Sequence, residues 1–277
     1  MKIVAIAVTL SLLAASAYSQ DVPPPDDVLP PPQQLSSGSP ITDLAVSTPK
    51  VNLVYLVPKD KVVSQTYVTA MGNAGASLTR WYASQMPNHK TFQVSAPAVI
   101  VVPLPHDASY YGNNVRPSIF TQFWDNVLND AFPLTGGRFS DPLNVWAFYI
   151  DADPICNECG GCGTSGVLVV SANDLRGLAG ETNKLFDECN PANKPYPWPI
   201  NRWIGGLGHE LGHAFGLPHP PGCDDGDKTK TCDGNALMWT GYASYPNTYL
   251  TDAAKNTLLT SPFFIFNANP KVRAVRP

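Results

Sequence analysis

Charge is scarce in this chain. Only 14% of its 277 residues are Asp, Glu, Lys or Arg, and the formal net charge is -4, so there is no basic field to hold phosphate backbones or anionic lipid surfaces. No nucleic-acid partner is expected. Long apolar runs are scarce too: past residues 3–14 nothing approaches the roughly 20 consecutive apolar residues of a membrane span, and no membrane insertion is expected. Neither a G-x-S-x-G nucleophile elbow nor a P-loop occurs, which leaves serine hydrolysis and nucleoside-triphosphate turnover without support. Cysteine is missing between Gln20 and Ile155. Its six occurrences, Cys156, Cys159, Cys162, Cys189, Cys223 and Cys232, all fall in the second half.

The N-terminal end reads as an address. Lys2 is followed by an apolar stretch over residues 3–14 and by Ala17-Tyr18-Ser19, the pattern of a secretory signal peptide over residues 1–19 with cleavage before Gln20. A secreted, extracellular protein is therefore expected, and an oxidising destination turns an even cysteine count into three disulfides. Cys223 and Cys232 flank a short polar loop and are expected to pair; the pairing of the other four stays open among its alternatives. Residues 20–50 carry Pro23-Pro24-Pro25 and Pro30-Pro31-Pro32, a composition that favours extended conformations and buries no core. They are read as a disordered linker or tail, and residues 51–277 as one folded domain.

Within that domain the hydrophobic spacing alternates between two periods. Residues 51–57 alternate and are β-branched, which argues a strand; residues 64–86 carry Ala, Leu, Met and aromatics at helical spacing. Residues 92–102 are strand-prone but interrupted by Pro97, which points to a break or bulge there. A helix is expected over residues 118–132, further strands over 145–150 and 166–170, and another helix from Asn201 or Arg202. That order gives an α/β or α+β layer architecture.

The segment 202–213 holds four glycines, Gly205, Gly206, Gly208 and Gly212, each unfavourable in an isolated helix by about 1 kcal/mol. Tight packing or a ligand has to compensate. The same segment ends in His209-Glu210-Leu211-Gly212-His213 and continues through Gly216 to His219, an H-E-x-x-H-x-x-G-x-x-H pattern whose chance occurrence at this chain's residue frequencies is on the order of one in 10⁶. Residues four apart on a helix project from one face one turn apart, so His209 and His213 reach toward one ion. Glu210 lies about 100° further round the helix axis, where it contacts a water rather than the ion. The helix is expected to stop after His213. Gly216 is suited to a left-handed reversal, Pro218 and Pro220 prevent continuation, and His219 returns as the third ligand. Three protein ligands and one open position are the arrangement of a catalytic rather than a structural zinc. His89 and His106 sit in loop contexts and read as surface residues.

This stretch resembles the extended zinc signature of the metzincin metallopeptidases, and Ala236-Leu237-Met238-Trp239 is similar to that family's methionine turn. The resemblance is specific over about residues 202–242. It implies that residues 51–277 are a metzincin-like α+β catalytic domain of two subdomains, a twisted mixed β-sheet with helices, with the active-site helix carrying the H-E-x-x-H motif and a small, irregular, disulfide-rich C-terminal subdomain. By the same resemblance, Met238 supports the histidines from beneath. Other members carry a tyrosine two residues beyond that methionine; here the position is Thr240, and Tyr242 is the nearest tyrosine. The cysteine latency switch of some members is absent, and Asp26 or Asp27 of the tail is the substitute available.

The expected activity is that of a secreted zinc-dependent endopeptidase. It is expected to bind one catalytic Zn2+ through His209, His213 and His219, to use Glu210 as general base, to act on a protein or peptide substrate, and to be a monomer. The rival is a secreted, non-catalytic, zinc-stabilised binding or toxin-like protein on the same fold, which would have no chemical need for Glu210. Asp224, Asp225, Asp227 and Asp233 read as a solvated, disulfide-clipped turn rather than a calcium loop, and Asp151 and Asp153 before Pro154 as a turn rather than a catalytic carboxylate pair.

Overall fold

The computed structural model describes residues 48–112, 121–154, 160–181, 198–224 and 229–266. Residues 1–19, expected to be a signal peptide, and most of the proline-rich segment lie outside the described residues, as do Cys156, Cys159, Cys189, Asp225 and Asp227.

The sheet has five strands in the order β3-β1-β4-β6-β5. These are β1 (Lys50–Val57), β3 (Val94–Pro103), β4 (Asn144–Ile150), β5 (Gly161–Thr164) and β6 (Val167–Val170). β3, β1, β4 and β6 run parallel, and β5 closes one edge as an antiparallel strand paired to β6. β1 and β4 are central strands of a sheet covered on both faces, so apart from Lys50, Asn52 and Asn144 they are apolar on both sides rather than alternating as expected for residues 51–57; Asn52 donates to Asn144 at 3.0 Å. The pleat still sorts their side chains. Val51, Leu53, Tyr55, Val145, Ala147 and Tyr149 join one buried cluster, while Val54, Leu56, Trp146, Phe148 and Ile150 join a second on the opposite face. Pro97 sits at a break in the β1–β3 register, which jumps from Val51 opposite Val94 to Leu53 opposite Val99. The proline is tolerated because β3 is an edge strand.

Helix α1 (Gln65–Gln85) begins where Ser64 accepts a hydrogen bond from the Tyr67 amide at 3.3 Å, the N-cap arrangement. It covers the first face through Met71, Leu78 and Tyr82. The short α2 (Ala108–Gly112) precedes α3 (Gln122–Thr135), which covers the second face through Phe123, Trp124, Val127 and Leu128. The described part of α3 starts at Gln122, and residues 118–120 lie outside the described residues. The helix runs three residues past the expected end. Pro133 is accommodated in the last turn, and the chain leaves it at Gly136 in the left-handed region, φ 74°.

Helices α4 (Ala172–Leu178) and α5 (Ile200–Ala214) complete the first face, and α6 (Asp252–Leu259) follows. A two-stranded antiparallel ribbon of β2 (Lys90–Thr91) and β7 (Ile265–Phe266) ties the end of the described chain to the end of α1. Beneath α5, the rings of Tyr82, Phe92, Phe215 and Phe264 pack with centroids 5.0–6.3 Å apart.

Gly161, Gly163 and Gly166 happen to fit a G-x-G-x-x-G spacing, yet they lie in β5 and its turn into β6. A dinucleotide loop has to lead from a strand into a helix, so this one is not such a loop. Among the described residues no helix is long and apolar enough to cross a membrane.

Candidate metal centre

Helix α5 enters at Pro199, whose fixed φ suits the position before a first turn. It buries Trp203, Leu207, Leu211 and Ala214, a stripe at three- and four-residue spacing that turns the remaining face toward the site. Three of its four glycines, Gly205, Gly208 and Gly212, are explained by close approach. A Cβ at position 205 would overlap the Tyr242 carbonyl, and one at 212 would overlap the Met238 sulfur. Met238, itself 2% exposed, therefore lies directly under the helix turn that carries the two histidines.

The helix stops in a Schellman motif. Gly216 adopts φ 91°, its amide bonds the His213 carbonyl at 2.9 Å, and the Leu217 amide bonds the Gly212 carbonyl at 2.9 Å. This reversal brings His219 back to the helix. The Nε2 atoms of His209 and His213 lie 3.0 Å apart, as do those of His213 and His219, and the donor atoms of all three lie within 4.8 Å of one another.

Each Nδ1 faces an acceptor on the far side of its ring. His209 donates to the Leu237 carbonyl at 2.8 Å, His213 to the Leu217 carbonyl at 2.9 Å, and His219 to the Asp224 carboxylate. A proton held on Nδ1 leaves the Nε2 lone pair free. Three such lone pairs aimed at one point repel each other unless a cation lies between them, and three neutral imidazoles with acceptors behind them are a donor set that suits zinc. Burial pushes the His209 imidazole down to about 4 against the hydrogen bond to Leu237, and the two other histidines add to the shift. Burial also lowers His213. Both rings are thus held in the neutral, ligand-competent form.

Glu210 follows His209 on α5 and packs against β5. Its main chain packs on Gly163 of β5, and its Oε1 lies beside Gly161. Although the residue keeps some surface, its carboxyl is enclosed. Burial, reinforced by the charge of Asp174 and opposed by Arg202, pushes it up to about 8. Asp174, on α4, is pushed up to about 6 by burial against the pull of Arg202 and Arg176. Arg202 lies on α5 with its guanidinium over the rings of Trp203 and Tyr242, at 4.2 and 4.9 Å from their centroids. The Tyr242 ring stands edge-on to His209 at 5.2 Å, and Trp239 stands edge-on to His219 at 4.9 Å.

The structure thus brings His209, His213 and His219 together, with Glu210 beside them, and places Met238 beneath and Tyr242 alongside. Cys223 and Cys232 are disulfide-bonded; Cys162, on β5, is disulfide-bonded as well. His89 and His106 are exposed, and His106 stacks on Tyr110 beside Asp130. Asp151 accepts from the Tyr55 hydroxyl, and Asp153 takes a two-pronged ion pair from Arg176 at 2.9 and 3.0 Å. One sequence reading needs correction: Asp224 is not merely part of a solvated turn, because it receives the His219 ring. Asp174 and Arg202 escaped the sequence reading. The Ser171-x-x-Asp174 spacing before Leu175 was an available helix-start signal for α4.

Comparison with solved structures places the architecture. The fold is shared with OgpA from Akkermansia muciniphila, at a TM-score of 0.50 and 17% identity, over 81% of this chain and 63% of that one. This chain therefore spans less than two thirds of OgpA. Catalytically inactive OgpA in complex with an O-glycopeptide substrate matches at 0.49 and 16% identity, over 80% of this chain and 62% of that one. The archaemetzincin of Methanopyrus kandleri matches at 0.42 and 16%, over 78% and 96% respectively. No protein-family model and no curated protein matches the chain.

Proposed function

We propose that the chain is a secreted zinc-dependent endopeptidase of metzincin type. The observation that carries this reading is the convergence of three Nε2 lone pairs, each backed by an acceptor, beside an enclosed carboxyl. Zinc held by His209, His213 and His219 would supply Lewis acidity, polarising a peptide carbonyl and acidifying water. Glu210 takes a proton from the attacking water and delivers it to the leaving amine. Its elevated proton affinity suits that double duty, and a dication next to it counteracts part of the rise. The peptide is read as lying in extended form along β5, the antiparallel edge strand beside Glu210, where main-chain bonding needs no particular side chain. Secretion rests on the charge, apolar run and small-residue site of residues 1–19.

The test uses purified protein and a mixed peptide library, with and without a chelator. Cleavage that the chelator abolishes and added zinc restores is expected, with one zinc per chain by elemental analysis. A zinc-loaded protein that binds peptides but cuts none would transfer the case to the non-catalytic reading.

A further inference from the structure

The three histidines are not held alike. His209 and His213 lean on main-chain carbonyls supplied by the Met238 turn and by the helix terminator, both fixed by backbone hydrogen bonds. His219 lies beyond the helix between Pro218 and Pro220, and it gives its Nδ1 proton to a charged side chain instead, the carboxylate of Asp224. We propose that Asp224 is the positioning residue for His219, and that the Cys223–Cys232 disulfide sets Asp224 for that task. The proposal rests on the reading of the three histidines as zinc ligands.

A hydrogen bond to a carboxylate this open to water is weak when its partners are free to move, and the two side chains are 26% and 50% exposed. Here the carboxylate is anchored from its own backbone. Asp224 follows Cys223, whose sulfur is tied to Cys232 and whose amide bonds the Pro220 carbonyl at 3.2 Å. Gly222, at φ 83°, lets the two limbs of the loop meet closely, since a Cβ there would come within 2.6 Å of the Lys230 carbonyl. These ties restrain the backbone next to Asp224. A charged acceptor also gives the stronger hydrogen bond and makes the opposite ring nitrogen a better donor to a cation.

Zinc affinity of the full chain, measured by competition with a chromophoric chelator, reads this directly. Asp224→Ala is expected to weaken zinc binding roughly 10- to 100-fold, and Asp224→Asn, which keeps an acceptor oxygen without the charge, less. The double variant Cys223→Ser with Cys232→Ser is expected to weaken it as well, while retaining Asp224. In the cobalt-substituted protein the visible bands of Asp224→Ala should move, and the melting temperature of its metal-free form should match that of the wild type. Affinity within twofold of wild type in Asp224→Ala overturns the proposal. A loss accompanied by an equally destabilised metal-free protein overturns it too, because it assigns Asp224 to loop stability. Wild-type protein that takes up no zinc is a separate outcome, which removes the underlying reading and not only the role of Asp224.

Discussion

At Glu210 two electrostatic tendencies oppose each other. Burial and the Asp174 charge favour the protonated carboxyl, whereas Arg202 favours the carboxylate, and the zinc of the proposed function would favour the carboxylate further. Glu210→Gln keeps the volume and removes the base, so zinc stoichiometry should be unchanged while kcat on a cleaved peptide falls roughly 10²- to 10⁴-fold. A Gln variant that retains both zinc and wild-type kcat would show that another group moves the proton. The identities of the central residues were legible, because the spacing of His209, Glu210, His213 and His219 is itself the geometry. Their support was not. Two of the three acceptors behind the rings are the carbonyls of Leu217 and Leu237, and every residue has a carbonyl. Asp224 was visible only as one of several acidic residues in a loop.

Among the elements, α5 shows how a pattern unfavourable to an isolated helix becomes favourable in context. Replacing a helical glycine by alanine normally stabilises by up to about 1 kcal/mol, but overpacking costs about 1–3 kcal/mol. Position 205 faces the Tyr242 carbonyl, a backbone atom that cannot step aside, whereas position 206 meets only the flexible tip of Arg202 at 3.1 Å and the Asp174 carboxylate at 3.9 Å. Gly205→Ala should therefore lower stability by about 1–3 kcal/mol in denaturant unfolding. Gly206→Ala, in the same helix, should be neutral or slightly stabilising. Equal effects at the two positions would mean that propensity rather than packing governs them.

Other elements were legible for similarly local reasons: β1, β4 and β6 as short β-prone runs, and α1 from its helical spacing. β5 was not, since Gly161-Cys162-Gly163-Thr164 carries no hydrophobic signal and its two glycines serve the neighbouring Glu210 backbone and side chain rather than the core. α4 was missed because seven residues are too few for a period to show.

At the scale of the whole molecule, the sheet separates a core closed by α3 from one shared by α1, α4 and α5, and the charges that accompany the site gather on the second side. Asp174 stands at that junction. Arg202 and Arg176 attract it, while Asp153 opposes its ionisation; its charge also bears on the buried Tyr149 and on Glu210. Its folded value of about 6 lies above the ordinary carboxylate value of 3.8, so the native chain binds more protons than the unfolded one between those limits. The contribution of Asp174 to stability is consequently fully present below about pH 4 and is lost as pH rises through about 6.

By the same linkage the loss amounts to about 3 kcal/mol. Asp174→Asn removes that titration and leaves the other ionisable groups in place. Unfolding free energies of the metal-free wild type and of Asp174→Asn, measured in denaturant at pH 4 and pH 7, should therefore diverge. The wild type should fall further on going to pH 7, and two proteins that change in parallel would show that water reaches the Asp174 carboxylate and that burial does not govern it.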